Sequence, residues 1–414
     1  MAGKTILILG GGIGGLVAAH ELRRQLGPDH RIIVIDKESH HRYQASYLWL
    51  MMGWREPEAL TRRLTALNRW GAAYHQAEAL HIDTSSRVVE TTKETIPYDY
   101  LVIALGSVLD AAAIPGLAEA GLTPYEIADA ARLAEVWPRW EKGSLAVVIA
   151  ALPFKCPAAP YEAAFLLDHG LRQRKVRSSV DISFYTPEPQ PMPVAGPAAG
   201  QAITQAMLSK GINYHPGHRL SSLSAESRVI RFENGNEAHF DHLVYVPPHK
   251  PPAVAVNSEL TDASGWIPVH PQTLQTQHEG VYALGDVSAL TLANGMMLPK
   301  AGVFAHREAE VVAHNIAMEI KGRKERKVFD GWGGCFIEMG EGKAAYGSGN
   351  FLASPSPSVQ IHPPARSWRL GKVALEKLWL QTLSSSGALS QGAFHTMDFG
   401  SRVLMEQTWL WRRF

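Results

Sequence analysis

Short apolar runs, separated by turn residues and by segments of helical period, dominate the chain. TILIL (5–9), apolar after its threonine, has the pattern of a strand buried on both faces. Positions 14–26 then predict a helix and RIIVID (31–36) a second buried strand, so the chain opens as a β-α-β unit. A hairpin-like region follows in SRVVETTKETIPY, and YDYLVIALG (98–106) reads as another buried strand ending at a glycine. SLAVVIA (144–150) begins a second α/β unit, which VDISFYT and HLVYVPP continue. GVYALGD (280–286) is one more buried strand, with a helix of about 18 residues predicted from Ala301. From about Phe329 the chain turns rich in Gly, Ser, Pro and Trp, without β-α alternation. Strands alternating with helices predict an α/β architecture of parallel sheets. The boundaries expected are a first α/β segment over 1–110, a second unit over 111–261, a return to the first over 262–325, and a C-terminal α+β region over 326–414.

Composition narrows the function classes. At 414 residues the chain exceeds one typical core. Forty basic against 39 acidic residues leave a net charge of +1, which removes the electrostatic case for nucleic acid or any other polyanion. The longest apolar region, 101–122, is broken by Asp110, Pro115, Gly116 and Glu119, so no transmembrane helix is expected there. KTILILGGGIGGLVAAH faintly mimics a secretory signal, but its glycines stand where a nucleotide loop needs them, and no cleaved signal is expected.

Gly10, Gly12 and Gly15 spell G-x-G-x-x-G at the first strand-to-helix junction. The first glycine permits a tight turn, the second lets backbone approach a pyrophosphate, and the third lets helix pack on strand. The helix N-terminus offers free N–H groups and partial positive charge to the phosphates. Asp36 closes the second strand 21 residues after Gly15, where its carboxylate can accept ribose hydroxyls. NAD and FAD share this fingerprint, and GVYALGDV chooses between them by delivering Asp286 just past Gly285. In two-dinucleotide-domain flavoproteins, which this arrangement resembles, that aspartate binds the ribitol chain of FAD. YDYLVIALG, ending at Gly106, resembles their second flavin-side strand. LPKAGVFAH then puts Lys300 and the helix N-terminus around Gly302 where they would face the flavin pyrimidine ring. Positive potential there stabilises the anionic reduced flavin.

The second α/β unit has no such glycine loop. SLAVVIA runs into ALPFKCPAAPYEAAF, where Pro153, Pro157 and Pro160 stiffen the chain and remove N–H donors, so NADH binding there is not expected. This loop carries Cys156, with Glu162 six residues on at the start of a helix. The second cysteine, Cys335, lies 179 residues away in GGCFIEMG. Two cysteines make neither a disulfide scaffold nor a four-ligand zinc site, which leaves two inert thiols or one redox pair.

FKCPAAPYEAAFLL, TPEPQPMPVAGP, LPKAGVFAHREAEVVAHNI and FDGWGGCFIEMGEGKAA resemble the sulfide:quinone oxidoreductase family. They equally resemble its sister, the flavin subunit of flavocytochrome c sulfide dehydrogenase. The resemblance implies two Rossmann-like domains of the glutathione-reductase-like kind plus a C-terminal region. It further implies that Cys156 and Cys335 are the redox pair facing the flavin, with Glu162 as base or proton carrier. Two departures stand out. Many quinone-linked members have a third cysteine about where Tyr125 lies here. The sister links its flavin covalently through a cysteine at the position of Ser46, so FAD is expected to be non-covalent.

The mechanism implied has hydrosulfide attack a Cys156–Cys335 disulfide, leaving a persulfide and a thiolate that hand two electrons to the flavin and on to a quinone. Sulfur leaves as a short polysulfide or on a small acceptor. For contact with a lipid-soluble quinone the tail offers LGKVALEKLWLQTL, with Val373, Leu378 and Trp379 on one side of a helix, and QTWLWRRF at the end. The resemblance favours a monotopic membrane surface over a lid packed on the core. A cytochrome or other protein acceptor, a non-pumping NADH:quinone oxidoreductase, a redox-sensing flavoprotein without turnover, and a homo-oligomeric state stay open at this point.

Overall fold

The computed structural model describes residues 3–384. The elements that frame the site begin with β1 (Thr5–Leu9), α1 (Ile13–Gln25), β2 (Arg31–Asp36), β3 (Ala73–Gln76) and β4 (Tyr100–Ile103). Then come β5 (Gly143–Ile149), α2 (Ala159–Gln173), β6 (Val180–Tyr185), β7 (Ile212–His215) and β8 (His242–Val246). β9 (Val281–Ala283) and α3 (Gly302–Ile320) follow. The last are β10 (Trp332–Gly340), β11 (Lys343–Asn350), β12 (Ser358–Ala365) and α4 (Arg366–Thr382).

The first sheet runs β9-β4-β1-β2-β3, all parallel. Its central strand is apolar from Ile6 to Leu9 because alternate residues enter different cores. Ile6 and Ile8 join one cluster, and Leu7 and Leu9 join the other. The β2 and β4 neighbours flank β1 on opposite sides, so the chain reverses its winding at the carboxyl end of β1, where such sheets open a crevice. A second parallel sheet runs β7-β6-β5-β8. The α/β expectation is met. Helix α1 begins and ends one residue before its predicted bounds, and the predicted hairpin pairs Val88–Thr91 with Thr95–Pro97.

The C-terminal stretch, which lacks β-α alternation in sequence, is a three-stranded antiparallel sheet capped by α4. β10 lies against α2, and α4 lies across β10 and β11. The two glycines before Cys335 let β10 lie close to α3 and β11. A Cβ on Gly333 would meet Phe304 at 2.4 Å, and one on Gly334 would meet the Tyr346 hydroxyl at 2.1 Å. The amphipathic helix expected around LGKVALEKLWLQTL is present, but Trp379 turns inward and is 2% exposed, packed on Tyr43. Within the described residues α4 is therefore a lid on the protein. QTWLWRRF lies outside the described residues.

Candidate active site

The glycine loop leaves β1 at the crevice and is shaped by contact. A Cβ on Gly15 would lie 1.9 Å from the Gly10 carbonyl oxygen, so helix and turn meet at glycine only. At Gly12 the same construction meets nothing within 4 Å, which leaves backbone open to close approach. The first turn of α1 has no acidic residue and no side-chain cap, so its N–H groups stay available. Asp36 accepts from the backbone N–H of Gly11 at 2.6 Å and of Glu38 at 2.8 Å. Burial raises its carboxyl above the ordinary range despite those donors. The α3 N-terminus arrives beside α1, with a Cβ on Gly302 only 2.7 Å from Ile13 Cδ1. Two uncapped helix N-termini thus adjoin, an arrangement that fits a dinucleotide pyrophosphate.

Gly106 is in the left-handed region, and a Cβ there would also meet nothing within 4 Å. Beyond β9, the Gly285 N–H donates to Glu308 at 2.6 Å. Asp286 is raised above the usual carboxylate range by burial, while Lys155 and Lys300 pull it back. The Lys300 ammonium is more committed than the sequence suggests. It donates to the Asp286 carbonyl at 2.6 Å, lies 3.4 Å from the Ser288 carbonyl and sits 3.5 Å from the centre of the Trp266 ring. Burial lowers it to about 8. It braces the Asp286 turn. Ser46 is buried in a short turn and caps no group through its hydroxyl.

The Cys156 loop is stitched to the Lys300 segment. The Cys156 N–H donates to the Lys300 carbonyl at 2.7 Å, and Lys155 bridges Lys300 in parallel register. Cys156 itself has φ +52°, a conformation that costs a non-glycine residue about 1–2 kcal/mol. Its carbonyl accepts from the Ala159 N–H at 2.9 Å and the Tyr125 hydroxyl at 3.3 Å, so the turn is held from three directions. Tyr125 therefore stands at the cysteine, as its sequence position implies. Cys335 comes in on β10 and is exposed, with its thiol 3.4 Å from the Phe336 carbonyl. Both cysteines are free thiols. Burial pushes the Cys156 thiol up to about 12. The Cys335 thiol is raised as well, with the Cys156 charge adding to the rise.

The opposing cation was not legible in the sequence. Lys372 reaches in from α4 and donates to Glu162 Oε2 at 2.6 Å, while the Glu338 N–H donates to the same oxygen at 2.8 Å. Glu338 accepts from Trp49 Nε1 at 3.0 Å and lies 3.6 Å from Arg369 Nε. Lys372 is the cation that lowers both thiols, although burial outweighs it. The only trace in sequence is a lysine within the apolar period of LGKVALEKLWL, where a buried partner is needed to make sense of it. Helix α4 also reaches the glycine loop through His41. Trp379 Nε1 donates to His41 Nε2 at 2.9 Å, and His41 Nδ1 donates to the Gly11 carbonyl at 3.1 Å. Among the described residues no cluster could hold a metal ion, and no helix is long and apolar enough to cross a membrane.

A family model described as pyridine nucleotide-disulphide oxidoreductase matches residues 4–309. The mitochondrial sulfide:quinone oxidoreductase of Schizosaccharomyces pombe is 27% identical over 368 residues, covering 82% of this chain and 79% of that protein. The sulfide-quinone reductase of Aquifex aeolicus is 25% identical over 398 residues, covering 91% of this chain and 90% of that one. The solved structure of the sulfide:quinone oxidoreductase from the hyperthermophilic bacterium Aquifex aeolicus matches with a TM-score of 0.82 at 23% identity. It covers 92% of this chain and 91% of that chain. The family resemblance read from the motifs is borne out.

Proposed function

We propose that this chain, an oxidoreductase that belongs to the pyridine nucleotide-disulphide oxidoreductase family, oxidises sulfide through Cys156 and Cys335 with non-covalent FAD and passes the electrons to a quinone. The observation that carries the reading is the Cys156 loop. It occupies the end of β5, where a nicotinamide-binding relative needs a glycine loop, and is hydrogen-bonded to the Lys300 segment of the flavin side. FAD supplies two-electron redox chemistry when bound. Gly10, Gly12, Gly15 and Asp36 would hold its adenosine and pyrophosphate, and Gly106, Gly285 and Asp286 its ribitol, with the Gly302 helix end toward the pyrimidine and Lys300 bracing the Asp286 turn. The segments 1–110 and 262–325 would form the flavin domain around the 111–261 unit, with 326–414 completing the cysteine site.

The residues divide the work as follows. Burial raises the Cys156 thiol, which disfavours it as the attacking nucleophile in the dithiol state. In this reading the nucleophile comes from outside, as hydrosulfide attacking the disulfide. Lys372 steadies the thiolate released by that attack, and Glu162, held on Lys372, is the group through which a proton can pass. Transfer to a lipid-soluble acceptor favours peripheral membrane contact through the C-terminal region. Anaerobic flavin reduction tests the proposal: sulfide should bleach the oxidised flavin band quickly and NADH slowly or not at all. Fast bleaching by NADH, with none by sulfide, refutes it.

A further inference from the structure

We propose that His41 and Trp379 are positioning residues for the cofactor pyrophosphate, through which helix α4 governs how tightly the flavin is held. The inference rests on the flavin part of the reading above and is independent of the sulfide chemistry.

The glycine loop is pinned where it leaves β1 and where it enters α1, and the peptide between needs an outside partner. The Gly10 N–H donates to the Ile35 carbonyl at 2.8 Å and the Gly11 N–H to Asp36 at 2.6 Å. The Gly12 carbonyl accepts the first helical bond from Leu16 at 3.0 Å. The Gly11–Gly12 peptide joins two residues without Cβ atoms, so sterics alone leave it free to rotate. His41 removes that freedom, because its Nδ1 donates to the Gly11 carbonyl at 3.1 Å. In a planar trans peptide the carbonyl and the N–H point opposite ways. Holding the Gly11 oxygen on His41 therefore turns the Gly12 N–H away from His41, at the residue whose backbone is open to close approach. That N–H is the group a pyrophosphate oxygen would meet.

The imidazole is locked from its other side. A carbonyl oxygen only accepts and an indole N–H only donates, so both contacts coexist in one neutral tautomer, with the proton on Nδ1 and the Nε2 lone pair facing Trp379. The Trp379 Nε1–H donates to that Nε2 at 2.9 Å. His41 and Trp379 are 3% and 2% exposed, so water cannot take over either bond.

Trp379 is held in turn by the docking of α4. His41 pairs with Arg62 across the short antiparallel ladder of 40–42 with 61–63. Arg62 Nε donates to the Leu380 carbonyl at 3.1 Å and to Ser384 Oγ at 2.8 Å, and Arg69 donates to the Leu383 carbonyl at 3.4 Å. These guanidinium groups satisfy the carbonyl end of α4 and suit its dipole. One turn before Trp379, Arg55 grips the Glu376 carboxylate at 2.7–3.0 Å. Contacts thus run unbroken from the last turn of α4 through Trp379 and His41 to the Gly11 carbonyl. Lys372 is on the same helix, so α4 supports the cysteine site at one end and the cofactor loop at the other.

Release of FAD from the holoprotein over a series of dilutions, read as recovery of flavin fluorescence, gives Kd for wild type, His41→Leu, His41→Gln and Trp379→Phe. Leucine removes both hydrogen bonds and should raise Kd about ten- to a hundredfold. Glutamine can donate to Gly11 from its amide nitrogen and accept from Trp379 on its oxygen, so it should stay within about threefold of wild type. Trp379→Phe keeps an aromatic ring against Tyr43 and loses the donor, which should raise Kd about three- to tenfold. ADP carries the pyrophosphate without the flavin. It should compete with FAD in wild type, with an inhibition constant about tenfold higher in His41→Leu. Equal Kd in wild type and His41→Leu overturns the inference. So does an equal loss in His41→Gln and His41→Leu, or ADP competition that His41→Leu leaves unchanged. Should His41→Leu not fold, Trp379→Phe decides alone, and a wild-type Kd there overturns the role of α4. A wild-type protein that carries no flavin overturns the cofactor reading itself.

Discussion

Replacing Lys372 by methionine tests the cysteine site where it is most exposed to error, since the pairing is invisible in sequence. Methionine keeps most of the stem and removes the ammonium. The Lys372 and Glu162 side chains are only 12% and 3% exposed, and their charged atoms lie 2.6 Å apart, so water cannot replace the lost partner. Breaking a buried ion pair from one side costs about 3–5 kcal/mol. Glu162 keeps the Glu338 N–H as a donor, which puts the expectation at the lower end, about 3 kcal/mol. In Glu162→Gln/Lys372→Met the carboxylate no longer demands a cation, and about 2 kcal/mol of the loss should return. Urea unfolding of the FAD-loaded single and double variants measures this coupling. A second readout separates electrostatics from packing: Lys372 lowers both thiols, so alkylation of the reduced cysteines should slow in Lys372→Met. Strictly additive stabilities, together with unchanged alkylation, would refute the pairing argument.

Cys156→Ser and Cys335→Ser should each cost about a hundredfold or more in sulfide-dependent quinone reduction, and the double variant little more, because one lost sulfur already ends the relay. Near-wild-type turnover by either single variant, with FAD fully loaded, would revive the reading of two inert packing thiols. Burial holds His41 at about 4, against an ordinary value of 6.5. The unfolded chain therefore takes up the proton first, and stability present above about pH 6.5 should drain by about 3 kcal/mol as pH falls to about 4. His41→Gln should flatten that slope in pH-dependent unfolding, and an unchanged slope would assign it to another group. Acid-denatured protein should release intact FAD into the supernatant, since Ser46 offers no thiol for a thioether. Flavin that stays with the precipitate would show a covalent link elsewhere.

The glycine-loop half of the candidate site was legible in sequence because its determinants are local. Gly10, Gly12, Gly15 and Asp36 belong to one β-α-β unit, and the covalent chain itself places the loop between its strand and helix. The same holds for the proline-framed Cys156 loop, where the absence of glycine is a statement about backbone geometry that needs no partner. Long-range pairing was not legible. Residues 162 and 372 meet only because β10 packs on α2 and α4 crosses that sheet, and periodicity says which face of α4 is apolar without saying that a lysine on it finds a buried carboxylate. Trp379 shows the same limit. An aromatic on an amphipathic face suits a membrane or a core equally well, and only the fold turns it onto Tyr43 and His41. Lys300 was recognised by motif, but its ammonium braces the Asp286 turn and packs on Trp266, a contact set by the three-dimensional return of the chain at residue 266. Local backbone chemistry is written in consecutive residues. The electrostatics around the two thiols depends on distances across the fold, and those exist only once the sheets have packed.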